Sequence, residues 1–238
     1  MKLILKTDNR TKAFDIYSPK GYEIMSELWN KISFHNRSMY ESTWLGIPII
    51  QYPNDMIMMQ ELIWKTKPDV IIEVGVAHGG SVIFYASILR LLGKGRVIGV
   101  DHEIRKHNKI KLNRHPLSKK ITLIQGNSVE LKTLHKVCAL LRSKDKVMVV
   151  LDSDHSYTHV TKEMNLYSKI VTKGQYLVVM DGIQGLFHSV PSGKPSWKND
   201  NPLRAIREFV SRNSNWKIDK YFTRLKVTCN PCGFLKKK

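Results

Sequence analysis

Residues 70–81, Val-Ile-Ile-Glu-Val-Gly-Val-Ala-His-Gly-Gly-Ser, leave a folding chain few options. A β-branched run closes on Glu73 and then meets Gly75, Gly79 and Gly80. Behind them, residues 82–89 are apolar enough to begin a helix that faces a core. Strand, glycine turn and helix in succession build the nucleotide-binding unit of an open α/β sheet. The missing side chains let backbone approach a ligand, and free N–H groups at the helix start favour anionic or oxygen-rich groups. Gly75, Ala77 and Gly80 fit a G-x-A-x-x-G spacing. That spacing also serves any tight strand-to-helix turn, so it needs support from the strands that follow.

The support comes twice. Residues 96–101 form a second apolar run ending in Asp101, about twenty residues past the glycines, where an acid accepts from both ribose hydroxyls of a nucleoside. Residues 121–126 form a third, ending at Asn127 and Ser128, short polar groups suited to an adenine edge or a helix cap. Strands that end in polar residues at one rim make a nucleoside pocket. His78, inside the glycine loop, either faces the ligand or packs beside it.

Two more strands, 147–151 and 176–179, alternate with helices expected at 129–142, 158–171 and 203–212, which means βαβ units and a parallel sheet. Leu151 is followed by Asp152, Ser153, Asp154 and His155, and Met180 by Asp181. Acids from neighbouring strand ends converge into a hard-oxygen site suited to Mg²⁺ or another divalent cation. Helix capping explains one acid per turn, but not Asp152, Asp154 and Asp181 together. His155, three residues beyond Asp152, is placed to act as a general base. His102, His107, His115, His135, His159 and His188 lack such company and read as surface or structural.

Outside this pattern, the spacing of Tyr22, Ile24, Met25, Leu28, Trp29 and Ile32 predicts a helix whose apolar face covers the core, with a lid or dimer arm as the functional alternative. Residues 43–53 read as an extended loop, and Asn54 or Asp55 as the cap of a methionine-rich helix over 56–66. Residues 189–202 read as a substrate loop, and 216–222 with 225–228 as a closing hairpin around Thr223-Arg224, before a lysine tail at 236–238. Cys229 and Cys232 form a single C-x-x-C, too few ligands for zinc and on the wrong element for a redox helix.

A formal net charge of +19 suits an anionic partner: nucleic acid, an acidic membrane surface or a phosphate-bearing substrate. The competing reading is lysines on solvated helix faces. With the lysines dispersed and no reading helix or aromatic RNA platform in the sequence, sequence-specific nucleic acid is not expected. Only 3 cysteines fit a reducing compartment. Residues 1–6 are too short for a signal peptide and no apolar run matches a membrane span. The expected location is cytoplasmic.

With these residues in view, the chain resembles the cephalosporin hydroxylase/rhamnosyl O-methyltransferase family of S-adenosylmethionine (SAM)-dependent enzymes. The segments that carry the likeness are 43–55 (TWLGIPIIQYPND), 69–81 (DVIIEVGVAHGGS), 151–156 (LDSDHS), 174–182 (GQYLVVMDG) and 230–235 (NPCGFL), so it covers residues 40–238. The resemblance implies a Rossmann-like seven-stranded sheet with helices on both faces and a C-terminal antiparallel hairpin, with residues 43–238 as the methyltransferase domain and 1–42 as an N-terminal helical extension or lid. It puts Glu73, Gly75, Gly79, Gly80 and Ser81 on the methionine-binding loop, Asp101 on the ribose, and Asn127 and Ser128 on the adenine. Like catechol-type O-methyltransferases, such enzymes hold a divalent ion with an acid after the fourth strand and an acidic pair after the fifth. Asp152 and Asp181 match; Met180 replaces the first acid of the pair, a poor Mg²⁺ ligand that Asp154 would have to replace. His155 falls where the catechol enzymes carry a catalytic lysine. The implied reaction is direct displacement, an acceptor oxygen attacking the SAM methyl. The implied acceptor is a sugar hydroxyl of a glycan, glycolipid or related small natural product, anionic if the basic charge serves it. Contact with an acidic membrane surface and a homo-oligomer are further expectations. A nicotinamide (NAD)-binding oxidoreductase and a non-catalytic basic RNA- or membrane-binding module are the alternatives.

Overall fold

The strand sequences Val-Ile-Ile-Glu-Val and Val-Met-Val-Val-Leu contain one polar residue between them and are buried at every position. Strands of this kind pair in parallel with helices on both faces, because neither face can meet water. The computed structural model describes residues 1–7 and 10–238. It opens with an antiparallel hairpin, β1 (Lys2–Thr7) and β2 (Arg10–Asp15), and helix α1 (Pro19–His35). A two-residue pairing, β3 (Thr43–Trp44) with β4 (Ile47–Pro48), leads into α2 (Pro53–Thr66). The α/β alternation then runs β5 (Val70–Val74), α3 (Gly80–Leu91), β6 (Arg96–Asp101), α4 (Lys106–Arg114), β7 (Ile121–Gln125), α5 (Leu131–Cys138), β8 (Val147–Leu151), α6 (Tyr157–Tyr167) and β9 (Tyr176–Val179). Helix α7 (Pro202–Arg212) and strands β10 (Trp216–Ile218) and β11 (Phe234–Lys237) close the fold.

Among the described residues the central sheet has seven strands in the order β10-β11-β9-β8-β5-β6-β7. Strands β7 to β9 and β5, β6 run parallel, while β11 lies antiparallel to both β9 and β10. Alternate strand residues feed two cores. Ile71, Met148, Val150 and Val178 pack with Met59, Leu62 and Ile63 of α2 and with α3, whereas Ile72, Val149 and Leu177 pack with Val160 and Met164 of α6 and Ile206 of α7. Each fully buried side chain of this size contributes about 1.5–3 kcal/mol by transfer. Chain order reverses between β5 and β8, and open α/β sheets bind ligands beyond the strand ends at such a point.

Several sequence expectations are corrected here. The closing hairpin pairs Trp216–Ile218 with Phe234–Lys237, not with residues 225–228; Lys220–Thr223 forms a 3-10 turn and the segment after it packs inward. The lysine tail is therefore a strand end, and Lys237 Nζ donates to the carbonyls of Ser168 and Val171 (3.0 and 2.7 Å), satisfying groups beyond the end of α6. Helix α5 stops four residues early, where Arg96 donates to the Leu140 carbonyl. The cap of α2 is Tyr52, and Asp55 points into the protein instead. The N-terminal extension is a hairpin plus a helix, and α1 does not cover the core with its apolar face. It buries Ser26, Asn30 and Ser33 and leaves Tyr22, Met25, Trp29 and Ile32 exposed. Polar anchors hold it, Tyr22 Oη donating to the Leu225 carbonyl (3.0 Å) and Tyr52 Oη to the Asn30 carbonyl (3.3 Å), and in its last turn Phe34 packs on Phe187. No described helix is long and apolar enough to cross a membrane.

Candidate active site

The turn leaving β5 is clamped from both sides. Gly75 has φ +96°, and a side chain there would stand 2.0 Å from the Asp152 carbonyl; one at Gly80 would stand 2.2 Å from the Pro48 carbonyl. Only glycine lets the loop pass between β8 and β4. Asp101, at the end of β6, holds the loop from outside. Its Oδ2 accepts from the backbone N–H groups of Val76 and Ala77 (2.8 and 3.0 Å), and its Oδ1 from Glu103 (3.0 Å). A carboxylate oxygen has more than one lone pair, so Asp101 retains acceptor capacity toward the cavity it lines.

That cavity, of about 450 Å³, is also lined by Gly75, Ala77, Asn127, Ser128, Asp154 and His159. The structure thus brings the predicted nucleoside residues to one wall. Asn127 Oδ1 accepts from Val129 N (3.2 Å) in a local turn ahead of α5, whose cap is Glu130, so Asn127 is not a helix cap, and Ser128 is fixed from beneath. Its Oγ donates to Glu163 Oε1 (2.5 Å), which also receives Ser153 Oγ (2.6 Å) and lies 3.1 Å from His159 Nε2. Glu163 is fully buried, and its hydrogen bond raises the His159 pKa. His159 and Glu163 were missed as site residues. Their spacing of four on a helix that starts at the β8 rim was the available signal, since it puts both on one face.

A second cavity, of about 200 Å³, adjoins the first across the glycine loop. His78, Gly79, Gly80 and Ser81 line it together with Asp152, His155 and Asp181. Glu73 is on neither wall. It is wholly buried behind the loop, accepts from Ser81 Oγ at 2.8 Å, and burial pushes its carboxyl up to about 8. Its bearing on the cavity runs through Ser81.

Asp152, His155 and Asp181 offer one ligand atom each, all within 4.8 Å of one another, and His155 Nε2 lies 3.2 Å from Asp181 Oδ2. Burial, then the charges of Asp181, Glu73, Glu163 and Asp55, hold the Asp152 carboxyl well above the usual range. Capping does not account for this cluster. Asp181 makes no side-chain cap bond to the turn Gly182–Leu186 that it precedes. Asp154 does behave as a turn residue: its Oδ1 accepts from Ser156 N (2.7 Å), and it faces the larger cavity, outside the cluster. Met180 is 2% exposed and belongs to the apolar core, so the cluster draws Asp181 from that strand end.

Beyond His155 and Asp181 a third cavity, of about 250 Å³, opens away from the glycine loop. Phe34, Tyr40, Ile183, Phe187 and Trp197 line it. Phe34 stacks on Phe187 with centroids 4.5 Å apart and meets Trp197 edge-on at 5.8 Å. With its amide turned to suit its neighbours, Gln184 donates to the His155 carbonyl (3.0 Å) and accepts from Trp197 Nε1 (3.1 Å), tying this wall to the cluster. The residues of the expected substrate loop thus reach the site through Trp197.

The family model described as rhamnosyl O-methyltransferase/CmcI matches residues 36–238. A rhamnosyl O-methyltransferase of Mycobacterium leprae (strain TN) is 31% identical over 168 residues, 70% of each chain. That of Mycobacterium bovis (strain BCG / Pasteur 1173P2) is 29% identical over 161 residues, 67% of this chain and 64% of that one, so the matched region spans just under two thirds of the relative's length. A structure of CmcI-D160 with Mg and SAM has the same fold, with a TM-score of 0.58 at 18% identity over 84% of this chain and 77% of that one.

Proposed function

The chain belongs to the rhamnosyl O-methyltransferase/CmcI family, and from that premise we propose that it is a SAM-dependent O-methyltransferase, assisted by a divalent cation, acting on a sugar hydroxyl of a glycan, glycolipid or related natural product. The observation that carries the reading is the cluster of Asp152, His155 and Asp181 between two unlike cavities, one lined by the glycine loop, the other by aromatic rings.

The donor set suits a hard cation, because two carboxylates converge where burial, and then repulsion from acidic neighbours, already disfavours Asp152 as an anion. A cation there offsets that repulsion. Asp152 and Asp181 would hold it. When bound, the ion lowers the pKa of an acceptor hydroxyl and SAM supplies the methyl group. The chain's own part is positioning and proton handling. The glycine loop and Asp101 orient the nucleoside, with Ser128 and His159 at its base end. With Nε2–H directed at Asp181 Oδ2 (3.2 Å), the basic nitrogen of His155 is Nδ1, which receives the hydroxyl proton, and Asp181 stabilises the imidazolium so formed. The aromatic cavity offers flat apolar faces to the C–H side of a pyranose, with the reacting hydroxyl directed at His155.

Calorimetric titration with S-adenosylhomocysteine (SAH) and with NAD⁺ separates this reading from a nicotinamide enzyme. Binding of SAH alone is expected, and binding of NAD⁺ alone would overturn the proposal. EDTA should stop methyl transfer while leaving SAH affinity unchanged, because the nucleoside residues lie on the other side of Asp152.

A further inference from the structure

Two segments that carry the family resemblance, residues 43–55 and 230–235, have no task in the chemistry above, yet the fold brings their ends together behind Asp181. Asp55, in the first turn of α2, is 1% exposed. Its Oδ2 accepts from the N–H of Cys229 (2.7 Å) and its Oδ1 from Thr228 Oγ1 (2.5 Å). Thr228 Oγ1 in turn accepts from the N–H of Asn230 (2.9 Å), and Asn230 Oδ1 accepts from the N–H of Asp181 (3.0 Å). The Cys229 carbonyl receives Ile183 N–H at 3.0 Å. Thr228, Cys229 and Asn230 are all buried, so solvent does not compete for these bonds.

The far end of this relay is the residue that most needs holding. Asp181 has φ +54° and ψ +25°, a left-handed conformation that aspartate tolerates better than most residues but that still gains from outside support. The near end is also unusual. No cation among the described residues pairs with Asp55, and a buried unpaired carboxylate is unfavourable. A neutral side chain could tie two loops together. A carboxyl group accepts from both donors at once, one on each oxygen, which a side chain with a single acceptor atom cannot do.

We propose that Asp55 is a positioning residue for the divalent-cation site, acting through Thr228 and Asn230 to fix the turn at Asp181 so that its carboxylate stays beside His155 and Asp152. The inference rests on the reading that Asp152 and Asp181 hold a cation. The motif Cys229-Asn230-Pro231-Cys232 then matters for its asparagine and its backbone, not for its thiols.

The test is Mn²⁺ binding to the purified full chain, followed by the electron paramagnetic resonance of the free ion, with SAH calorimetry run on the same samples. Asp55→Ala, Asn230→Ala and the isosteric Thr228→Val should each weaken Mn²⁺ binding about 10–100-fold, the usual effect of removing a ligand's supporting hydrogen bond. SAH affinity should stay within about twofold, and Thr228→Ser, which keeps the hydroxyl, should bind Mn²⁺ as the wild type does. Wild-type Mn²⁺ affinity in Thr228→Val and Asp55→Ala, with loss in Asp181→Ala, would overturn the proposal and leave the cation site intact. Loss of Mn²⁺ and SAH binding together in Thr228→Val would assign the relay to folding and overturn it equally. A wild type that binds no Mn²⁺ would remove the cation reading itself, and the proposal with it.

Discussion

At the scale of single residues, the fold buries carboxyl groups behind the site: Glu73, Asp55 and Glu163. Glu73 is the clearest, wholly buried with Oε1 unpartnered and its carboxyl raised from 4.5 to about 8. The sign follows from proton counts. Between those values the folded chain keeps a proton that the unfolded chain has released, so stability is fully present at low pH and falls as pH rises toward 8. Asp55, raised from 3.8 to about 7 mainly by burial, acts in the same direction over a lower window. Glu73→Gln keeps an acceptor for Ser81 and removes the titration. Its melting temperature should exceed that of the wild type at pH 8 and not at pH 5, with a limiting slope difference of about 1.4 kcal/mol per pH unit. Parallel melting curves for the two proteins across that range would show that Glu73 is ionised in the fold. At the other end of the site, His155→Ala should lower methyl transfer by about 10²–10⁴-fold, the contribution of a positioned base. High pH should restore part of the loss, because the hydroxyl then ionises without help. A mutant as active as the wild type would leave His155 without a proton to take.

At the scale of elements, α1 and the segment after β9 form the wall of the aromatic cavity, and Phe34 lies outside the residues that match the family model. We expect Phe34→Ala to raise KM for a glycoside acceptor about 2–10-fold, the equivalent of losing one aromatic contact, with SAH affinity unchanged. An unchanged KM would detach α1 from acceptor binding. The same helix shows where sequence reading stopped. Its periodicity was plain, since Tyr22, Met25, Trp29 and Ile32 do share a face, but periodicity reports a stripe and not what covers it, and here that stripe is exposed. The parallel strands were legible because a run buried on both faces has few other ways to exist. The closing hairpin was half legible. Residues 216–218 were placed correctly, while their partner, 234–237, runs into the lysines at 236–238 that read as a tail; Lys237 extends along the sheet to the carbonyls behind α6. At the site, Asp101 and the glycine loop followed from spacing. The bond between Glu163 and Ser128 and the Asp55 relay did not, because each depends on contacts between segments whose separation no local pattern encodes.

At the scale of the whole molecule, the charge of +19 remains to be placed, and the fold narrows what it can do. The acids are already counted in it, so ion pairs such as Arg224 with Glu61, Arg96 with Asp145 and Lys94 with Asp69 leave that surplus untouched. The surplus is spread over separate elements. Helix α4, for example, carries Lys106, Lys109, Lys111 and Arg114 with no acid, beside the cavity that Asp101 and Arg105 line. Charge dispersed in this way attracts anions at long range without reading a base sequence. The expected behaviour is therefore binding to RNA and to vesicles containing acidic lipid alike, with affinity that drops steeply between about 50 and 200 mM salt as released counterions lose their entropic advantage. Neutral vesicles should not bind. Replacing the four basic residues of α4 with glutamine should lower binding to both anions by a similar factor and leave SAH affinity intact, because long-range attraction sums over charges and does not depend on the pocket. Tight binding to one RNA sequence that persists at high salt would contradict this, since only contacts to base edges survive screening, and it would direct attention to a nucleic-acid acceptor in place of a sugar.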